Sequence, residues 1–348
     1  MFLVLMVLIW AESAAAQSQQ PPTTIPEMWN AWCARCHGRD GTGKVDTPTV
    51  TVQPMDFTNC RLTTGEADAD WTLAISKGGP AVGLSSQMPA FGDVISAEQV
   101  EGFVKHVRGF CKERGWPSGN FNLPRPIFAE KAFPEDELVI TPIASHNPNE
   151  FTTYELRTIF ERRIGRRAQI EAVLPFESVY LGTRETGVGD VEIGGKYALT
   201  PHLKRVLLTS GFDVSLGTGQ SSQLAGSFGA TLEPYLAAAT TVGSSYLQGQ
   251  FKIEFPTSGY WKNRETIFHV YLGRDTSLSP DTWTIGVEFS GENKEFGLTP
   301  QIRKGLTRTG ALGAAFGARI PLNEREEQGV TWVGYLVWEF LEPVRPRR

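Results

Sequence analysis

From residue 137 onward apolar and polar side chains alternate with a period of two, and nothing else in the chain constrains its fold as strongly. Leu247, Gly249, Phe251, Ile253 and Phe255 fall on one face of an extended segment, with Gln248, Gln250, Lys252 and Glu254 on the other. Val191, Ile193 and Tyr197 oppose Asp190, Glu192 and Lys196 in the same way, and Trp283, Ile285, Val287 and Phe289 oppose Thr282, Thr284, Gly286 and Glu288. Leu312, Ala314, Phe316, Ala318 and Ile320 form another such face, and Val330, Trp332, Leu336, Trp338 and Phe340 a last one. These are β-strands with one greasy and one polar side. Twelve of them begin near 137, 151, 167, 189, 203, 229, 245, 265, 282, 295, 309 and 329.

Two architectures share this pattern: a soluble sandwich or barrel with an apolar interior, and a membrane barrel with an apolar exterior. Several segments reach the roughly ten residues that a tilted transmembrane strand requires. Their connections also alternate. Gly165-Arg166, Thr200-Pro201, Val242-Gly243-Ser244 and Leu306-Thr307-Arg308 are short, whereas 217–228, 256–264 and 322–329 are longer and polar. Short periplasmic turns, longer external loops and an even strand count are the features of an outer-membrane barrel. The expectation is therefore an all-β antiparallel barrel of about 12 strands over residues 137–341, with the N-terminal region and the C-terminus both periplasmic. Pro142 is the weak point of the first strand, since proline cannot donate to a ladder. Charges such as Lys252, Glu254, Asp190 and Glu192 on the polar face would suit small polar solutes in a lumen.

The first third of the chain has a different period. Cys33-Ala34-Arg35-Cys36-His37 is a C-x-x-C-H, the pattern of haem c attachment: two thiols three positions apart can each add to one porphyrin edge while the adjacent histidine ligates iron. Zinc would need a second ligand pair, and the chain has no other C-x-x-C and no H-x-x-x-H. One covalent haem c is expected. A short helix with Pro26 in its first turn leads into the motif, and the glycine-rich Gly38-Arg39-Asp40-Gly41-Thr42-Gly43 follows it. A second helix is expected over 67–77, ending at Gly78-Gly79-Pro80.

Met88, in Gln87-Met88-Pro89-Ala90-Phe91-Gly92, is the expected sixth ligand, because a thioether on a stiffened loop favours reduced iron. Met55 and His106 compete for the role; His106 falls mid-helix, where a solvated face is expected. Ser96 and Gln99 form a capping box, and Val100, Phe103, Val104, Val107 and Phe110 make the apolar stripe of a closing helix.

The leader Met1 to Ala16 has an apolar run too short to span a bilayer and ends in Ala14-Ala15-Ala16, so residues 1–16 read as a signal peptide. In an exported protein the remaining cysteines, Cys60 and Cys111, could form a disulfide; two buried free thiols are the alternative. The net charge of −5 carries no block of like charge, which argues against a nucleic-acid partner. Residues 115–136 are proline-bearing and read as a linker or strap. Arg162, Arg163, Arg166 and Arg167 could bind lipid phosphate or a partner, with a solvated turn as the expected role, and His146, His202 and His269 lack ligand spacing.

The order C-x-x-C-H-G-x-D-G-x-G, a middle helix ending in Gly-Gly, M-P-A-F-G and a closing amphipathic helix resembles the class I cytochrome c domain over 24–114. That resemblance implies a small all-α fold with His37 proximal and Met88 distal, single-electron transfer and redox partner proteins. Cys60 and Cys111 are not part of the family's core pattern. Gly187-Val188-Gly189-Asp190-Val191-Glu192-Ile193-Gly194-Gly195-Lys196-Tyr197 resembles bacterial outer-membrane barrels of the porin-like, phenol-degradation transporter type. With no nucleophile elbow or phosphate loop, an electron carrier in the periplasm, or toward the exterior, is expected rather than a catalyst. A channel using the cytochrome domain as redox-sensitive plug or docking module is the alternative.

Overall fold

The structure is a computed structural model that describes residues 21–44, 48–146, 152–180, 184–219, 229–258, 264–323 and 329–340. The expected signal peptide lies outside them, as do residues 220–228 of the longest connection.

The N-terminal region is helical. Helix α1 (Ile25–Met28) opens with Pro26 and with Glu27 accepting from the Thr24 backbone N–H at 3.0 Å, widens into a π turn (Trp29–Cys33) and continues as α2 (Ala34–His37). Helices α3 (Cys60–Thr63), α4 (Asp68–Lys77) and α5 (Ala97–Arg108) follow, the last capped by Ser96 and Gln99 as expected. Val100, Phe103, Val104 and Val107 of α5 are buried with Met28, Trp29, Phe57 and Trp71. Each such side chain stabilises the fold by about 1.5–3 kcal/mol. Gly102 lets α5 cross α1 closely, since a Cβ there would stand 2.9 Å from Ile25.

Cys60 and Cys111 are joined by a disulfide that ties α3 to the end of α5. The bridge closes a separation of 51 residues. In the chain-entropy account a loop of that size is worth about 4 kcal/mol. Cys60→Ala with Cys111→Ala is therefore expected to lower the domain's unfolding free energy by about 2–4 kcal/mol in guanidinium titrations; an unchanged midpoint would show that the bridge restrains nothing.

The C-terminal region is a closed antiparallel barrel. Its strands are β1 (Glu137–His146), β2 (Thr152–Ile164), β3 (Ala168–Tyr180), β4 (Arg184–Val188), β5 (Val191–Ala198), β6 (Val206–Leu216), β7 (Thr231–Val242), β8 (Ser245–Pro256), β9 (Glu265–Asp275), β10 (Trp283–Glu292), β11 (Glu295–Gly305), β12 (Leu312–Pro321) and β13 (Thr331–Glu339). Neighbours pair in chain order, and β1 closes the ring against β13.

The thirteen segments fill twelve positions. Both β4 and β5 lie along β3, on Phe176–Tyr180 and Ala168–Val173 respectively. Between them stands Pro175, which has no N–H to give the ladder; its carbonyl instead accepts from Gly189 N at 3.1 Å. The strand expected from 189 thus begins at Arg184. Pro142 is accommodated within β1, opposite Leu156 of β2.

Outward positions carry Leu156, Leu174, Phe212, Leu236, Phe251 and Ile302, all exposed, while Glu137, Glu161, Lys196, Gln248, Glu288 and Thr299 face inward and are buried. Apolar outside and polar inside is the membrane arrangement. Aromatic residues rim both ends of the outer face: Tyr154, Tyr180 and Trp332 at one, Tyr197, Trp283 and Trp338 at the other, each 48 to 56% exposed. Such girdles sit at the two lipid–water interfaces.

The helical domain is clamped to the end of the barrel where the β2–β3 turn lies. Arg61 pairs with Asp136 at 2.8 Å, and Arg162 reaches the same carboxylate at 3.2 Å. Arg163 donates to the Arg61 carbonyl and to Thr64 Oγ1, both at 3.3 Å. Arg166 pairs with Glu113 at 3.1 Å, and Arg167 donates to the Gly115 carbonyl at 3.0 Å. The arginine cluster is thus a docking clamp rather than a solvated turn: from the tight β2–β3 turn, with Gly165 at φ 63°, Arg163 and Arg166 reach the helical domain, Arg167 holds the chain leaving it at Gly115, and Arg162 holds Asp136 at the foot of β1.

Candidate haem site

The C-x-x-C-H segment ends helix α2, and Gly38 at φ 77° turns the chain away from it. Trp29 Nε1 donates to the Gly38 carbonyl at 3.1 Å, so the buried indole fixes that exit. Gly41 and Gly43 also take positive φ, and side chains there would strike the Phe110 ring and the Pro54 carbonyl. The glycine-rich turn folds back against the helical core for that reason.

His37 lies between Phe57 and Trp29, with ring centroids 5.0 and 5.9 Å away. Its Nδ1 is buried and lies near the Met55 carbonyl without reaching hydrogen-bond geometry. Burial pushes the His37 imidazole down to about 4, only partly opposed by that carbonyl. The ring is therefore neutral at physiological pH, the form in which it can bind a metal. Cys33 and Cys36 are half-buried free thiols, and burial together with the neighbouring Cys36 pushes Cys33 up to about 11.

Met88 is half-buried on a loop braced from both sides. Its carbonyl accepts from Gly79 N at 3.0 Å, Phe91 N and Gly92 N bond back to Ile75 and Ser76 of α4, and Gln87 Nε2 donates to the Thr49 carbonyl at 2.9 Å. Gly79 must be glycine, because a Cβ would stand 2.2 Å from the Ser85 carbonyl and 3.1 Å from Met88 Cβ. Cys33 and Phe91 border the same buried cluster, so the C-x-x-C-H helix and the Met88 loop flank one core.

Of the two competing ligands, Met55 packs against that cluster, and the half-buried His106 ring lies tilted to Trp29 at 5.3 Å and edge-on to Phe110 at 5.0 Å, its Nε2 buried without a hydrogen-bond partner. A buried imidazole lacking a hydrogen bond, two free thiols on the same helix end and a braced thioether are a donor set that fits haem c.

Over the barrel mouth, burial beside other carboxylates raises two acids. Glu66 is pushed up to about 7 by burial and by Glu339, against Arg108, and Asp70 to about 7 by burial, Glu66, Glu339 and Asp275, against Arg303. Acids with raised native values bind more protons folded than unfolded in this window, so docking stability falls as pH rises from about 4.5 to 7 and levels off above. Thermal scans at pH 5, 6, 7 and 8 are expected to show that slope, flattened in Glu66→Gln with Asp70→Asn; a rise over the same range would contradict it.

The molecule is thus a membrane β-barrel with a helical domain clamped to one mouth. Residues 20–107 match the family model for cytochrome c oxidase, cbb3-type, subunit III, and this part of the chain is a cytochrome c domain. Domains of that kind bind haem c. No curated protein matches the chain. Among solved structures it is similar to the COG4313 outer membrane channel from Pseudomonas putida F1 (13% identity, 63% of this chain and 100% of that chain, TM-score 0.44). It is also similar to the KdgM porin in complex with disordered oligogalacturonate (9%, 58% and 99%, TM-score 0.43) and the NanC porin (11%, 59% and 100%, TM-score 0.41).

Proposed function

We propose that this chain is a one-haem electron-transfer protein of the bacterial outer membrane, with the haem held covalently by Cys33 and Cys36 and axially by His37 and Met88. The observation that carries the reading is the donor set on a domain clamped to the short-turn mouth, the side that faces the periplasm in outer-membrane barrels. When bound, haem c supplies a one-electron couple. The chain's own residues set the conditions for it. His37 offers a neutral imidazole, Trp29 and Phe57 keep water from it, and the Met88 thioether, held by the Gly79–Met88 bond, favours the reduced state. The braced Met88 loop argues for a closed sixth position and against a peroxidase. An open channel plugged by the cytochrome domain is the weaker reading, since residues 121–135 already lie inside the barrel, where Phe128 N donates to Glu288 at 3.1 Å, Glu130 N to Gln250 at 3.2 Å, and Gln248 to the Pro124 carbonyl at 2.8 Å.

The protein in lipid vesicles is expected to titrate as a single reversible one-electron couple and to show the long-wavelength methionine-to-iron band when oxidised, lost in Met88→Ala. Ready binding of carbon monoxide or peroxide by the unaltered protein would overturn the reading. So would a haem-stained band in the soluble fraction whose gel mobility ignores heating.

A further inference from the structure

The outer wall of the barrel is not even. Where β1 closes the ring against β13, Glu137–Ile140 pairs with Leu336–Glu339 and Ile143–Ser145 with Thr331–Val333. The step between holds Pro142, which has no N–H to give the ladder. Opposite it in register stands Gly334, where a Cβ would lie 3.9 Å from Pro142 Cγ and only 3.1 Å from the Ala315 carbonyl. One row further from the clamped domain, Ala144 pairs with Trp332. Gly334, Pro142 and Ala144 thus form the floor of a trough along the seam. Phe316 and Trp332, stacked at 5.8 Å, wall it on one side. Leu156, paired with Pro142, and Tyr154, paired with Ala144, wall it on the other, backed by Phe176. The exposed Ile140 and Leu336, one row closer to the domain, close that end. The cavity measures about 400 Å³, and its lining is almost wholly apolar.

The other end of the trough is polar. Ser178, which lines it beside Tyr154, accepts from Arg184 Nε at 3.1 Å and from Thr186 Oγ1 at 3.2 Å. The last row is His146, Thr152, Tyr180 and Arg184, neighbours across β1 to β4, with His146 Nδ1 and Thr152 Oγ1 3.0 Å apart. Both His146 and Arg184 are exposed. Tyr154, Tyr180 and Trp332 belong to the aromatic girdle, so the trough lies in the hydrocarbon and its polar rim at the lipid–water interface.

We propose that this trough binds one lipid of the outer leaflet, an acylated lipid with a phosphate headgroup, whose chain lies along Gly334, Pro142 and Ala144 and whose phosphate meets Arg184. Shape and charge together choose the occupant. From Pro142 to His146 is four residues, about 13 Å along the strand, which seats a chain lengthwise. Guanidinium pairs with phosphate through parallel N–H groups, and the bond to Ser178 holds Arg184 at the mouth of the trough. A concave apolar site with a few polar groups at one end is the form of a site for an amphiphile. The leaflet follows from the clamped domain being periplasmic, so the proposal rests on the orientation given above.

The test is native mass spectrometry of the haem-loaded full chain, released from detergent micelles after incubation with lipid A, a phosphorylated and acylated disaccharide, or with phosphatidylcholine. Wild type is expected to retain one lipid A, about tenfold more tightly than phosphatidylcholine, the weight of one charge-assisted contact. Arg184→Gln should remove that preference, and Ala144→Leu, which fills the floor, should remove retention altogether. Ala238→Leu on β7, an alanine that alternates with the outward Leu236, is the matched control and should behave as wild type. Equal retention of lipid A by Ala144→Leu and wild type would overturn the site. So would displacement of lipid A by inorganic phosphate, or a two-chain species that Ala144→Leu alone converts to one chain, which would give the seam to a second barrel. Each variant is first checked for heat-dependent gel mobility. A wild-type barrel that shifts on heating yet retains no lipid A defeats the lipid site and leaves the membrane barrel standing; a wild type that does not shift defeats both.

Discussion

Cys33→Ala combined with Cys36→Ala is expected to abolish haem staining on denaturing gels, whereas either substitution alone leaves a weaker stained band. A thioether survives detergent and heat, and axial ligation by His37 and Met88 does not. The double variant should also loosen the domain, because Trp29, Phe57 and Trp71 pack beside the site and would lose a neighbour. The expected cost is the few kcal/mol typical of a cavity left in a core, read as faster proteolysis between α2 and α5. The barrel should be indifferent: its strands pair only with one another, so its band should still shift on heating. Full staining in the double variant would mean that the haem is attached elsewhere, and that the motif is a thiol pair.

The contrast between the two regions shows what a sequence can reveal. Helix α5 was legible because Ser96, Gln99 and the stripe from Val100 to Val107 are local signals that agree. The twelve barrel positions were legible because alternation repeats in every strand, and an error in one start, as at Arg184 where Pro175 interrupts β3, leaves the rest in register.

The loop in the lumen was not legible. Its partners Glu161, Gln248 and Glu288 lie 36 to 160 residues away from the loop atoms they bond, and irregular backbone has no period to betray them. One signal was available. Phe121, Leu123, Ile127, Phe128, Ala132 and Phe133 are more apolar surface than a solvated strap would carry. The arginine cluster was misread for a related reason, since a turn rich in cations looks solvated until the domain folded against it is seen. The aromatic girdles could have been found by asking at which ends of the strands Tyr154, Tyr180, Tyr197 and the tryptophans fall.

The orientation of the barrel makes the second large prediction. Phe251 is the seventh of twelve residues of β8, outward, 46% exposed, and flanked across the sheet by Leu236 and Phe268. In lipid a cation at mid-depth costs about 2–4 kcal/mol. Phe251→Lys is therefore expected to lower barrel stability by that amount in urea titrations from vesicles, followed by the heat-dependent gel shift. Ser215→Lys is the matched comparison: it points into the lumen opposite Glu192, where a cation meets a carboxylate, and its expected change is within about 0.5 kcal/mol. A barrel standing in water would respond in reverse, since charging Phe251 would then remove an exposed aromatic ring at little cost. The sign of the difference between the two lysines thus decides which face meets lipid.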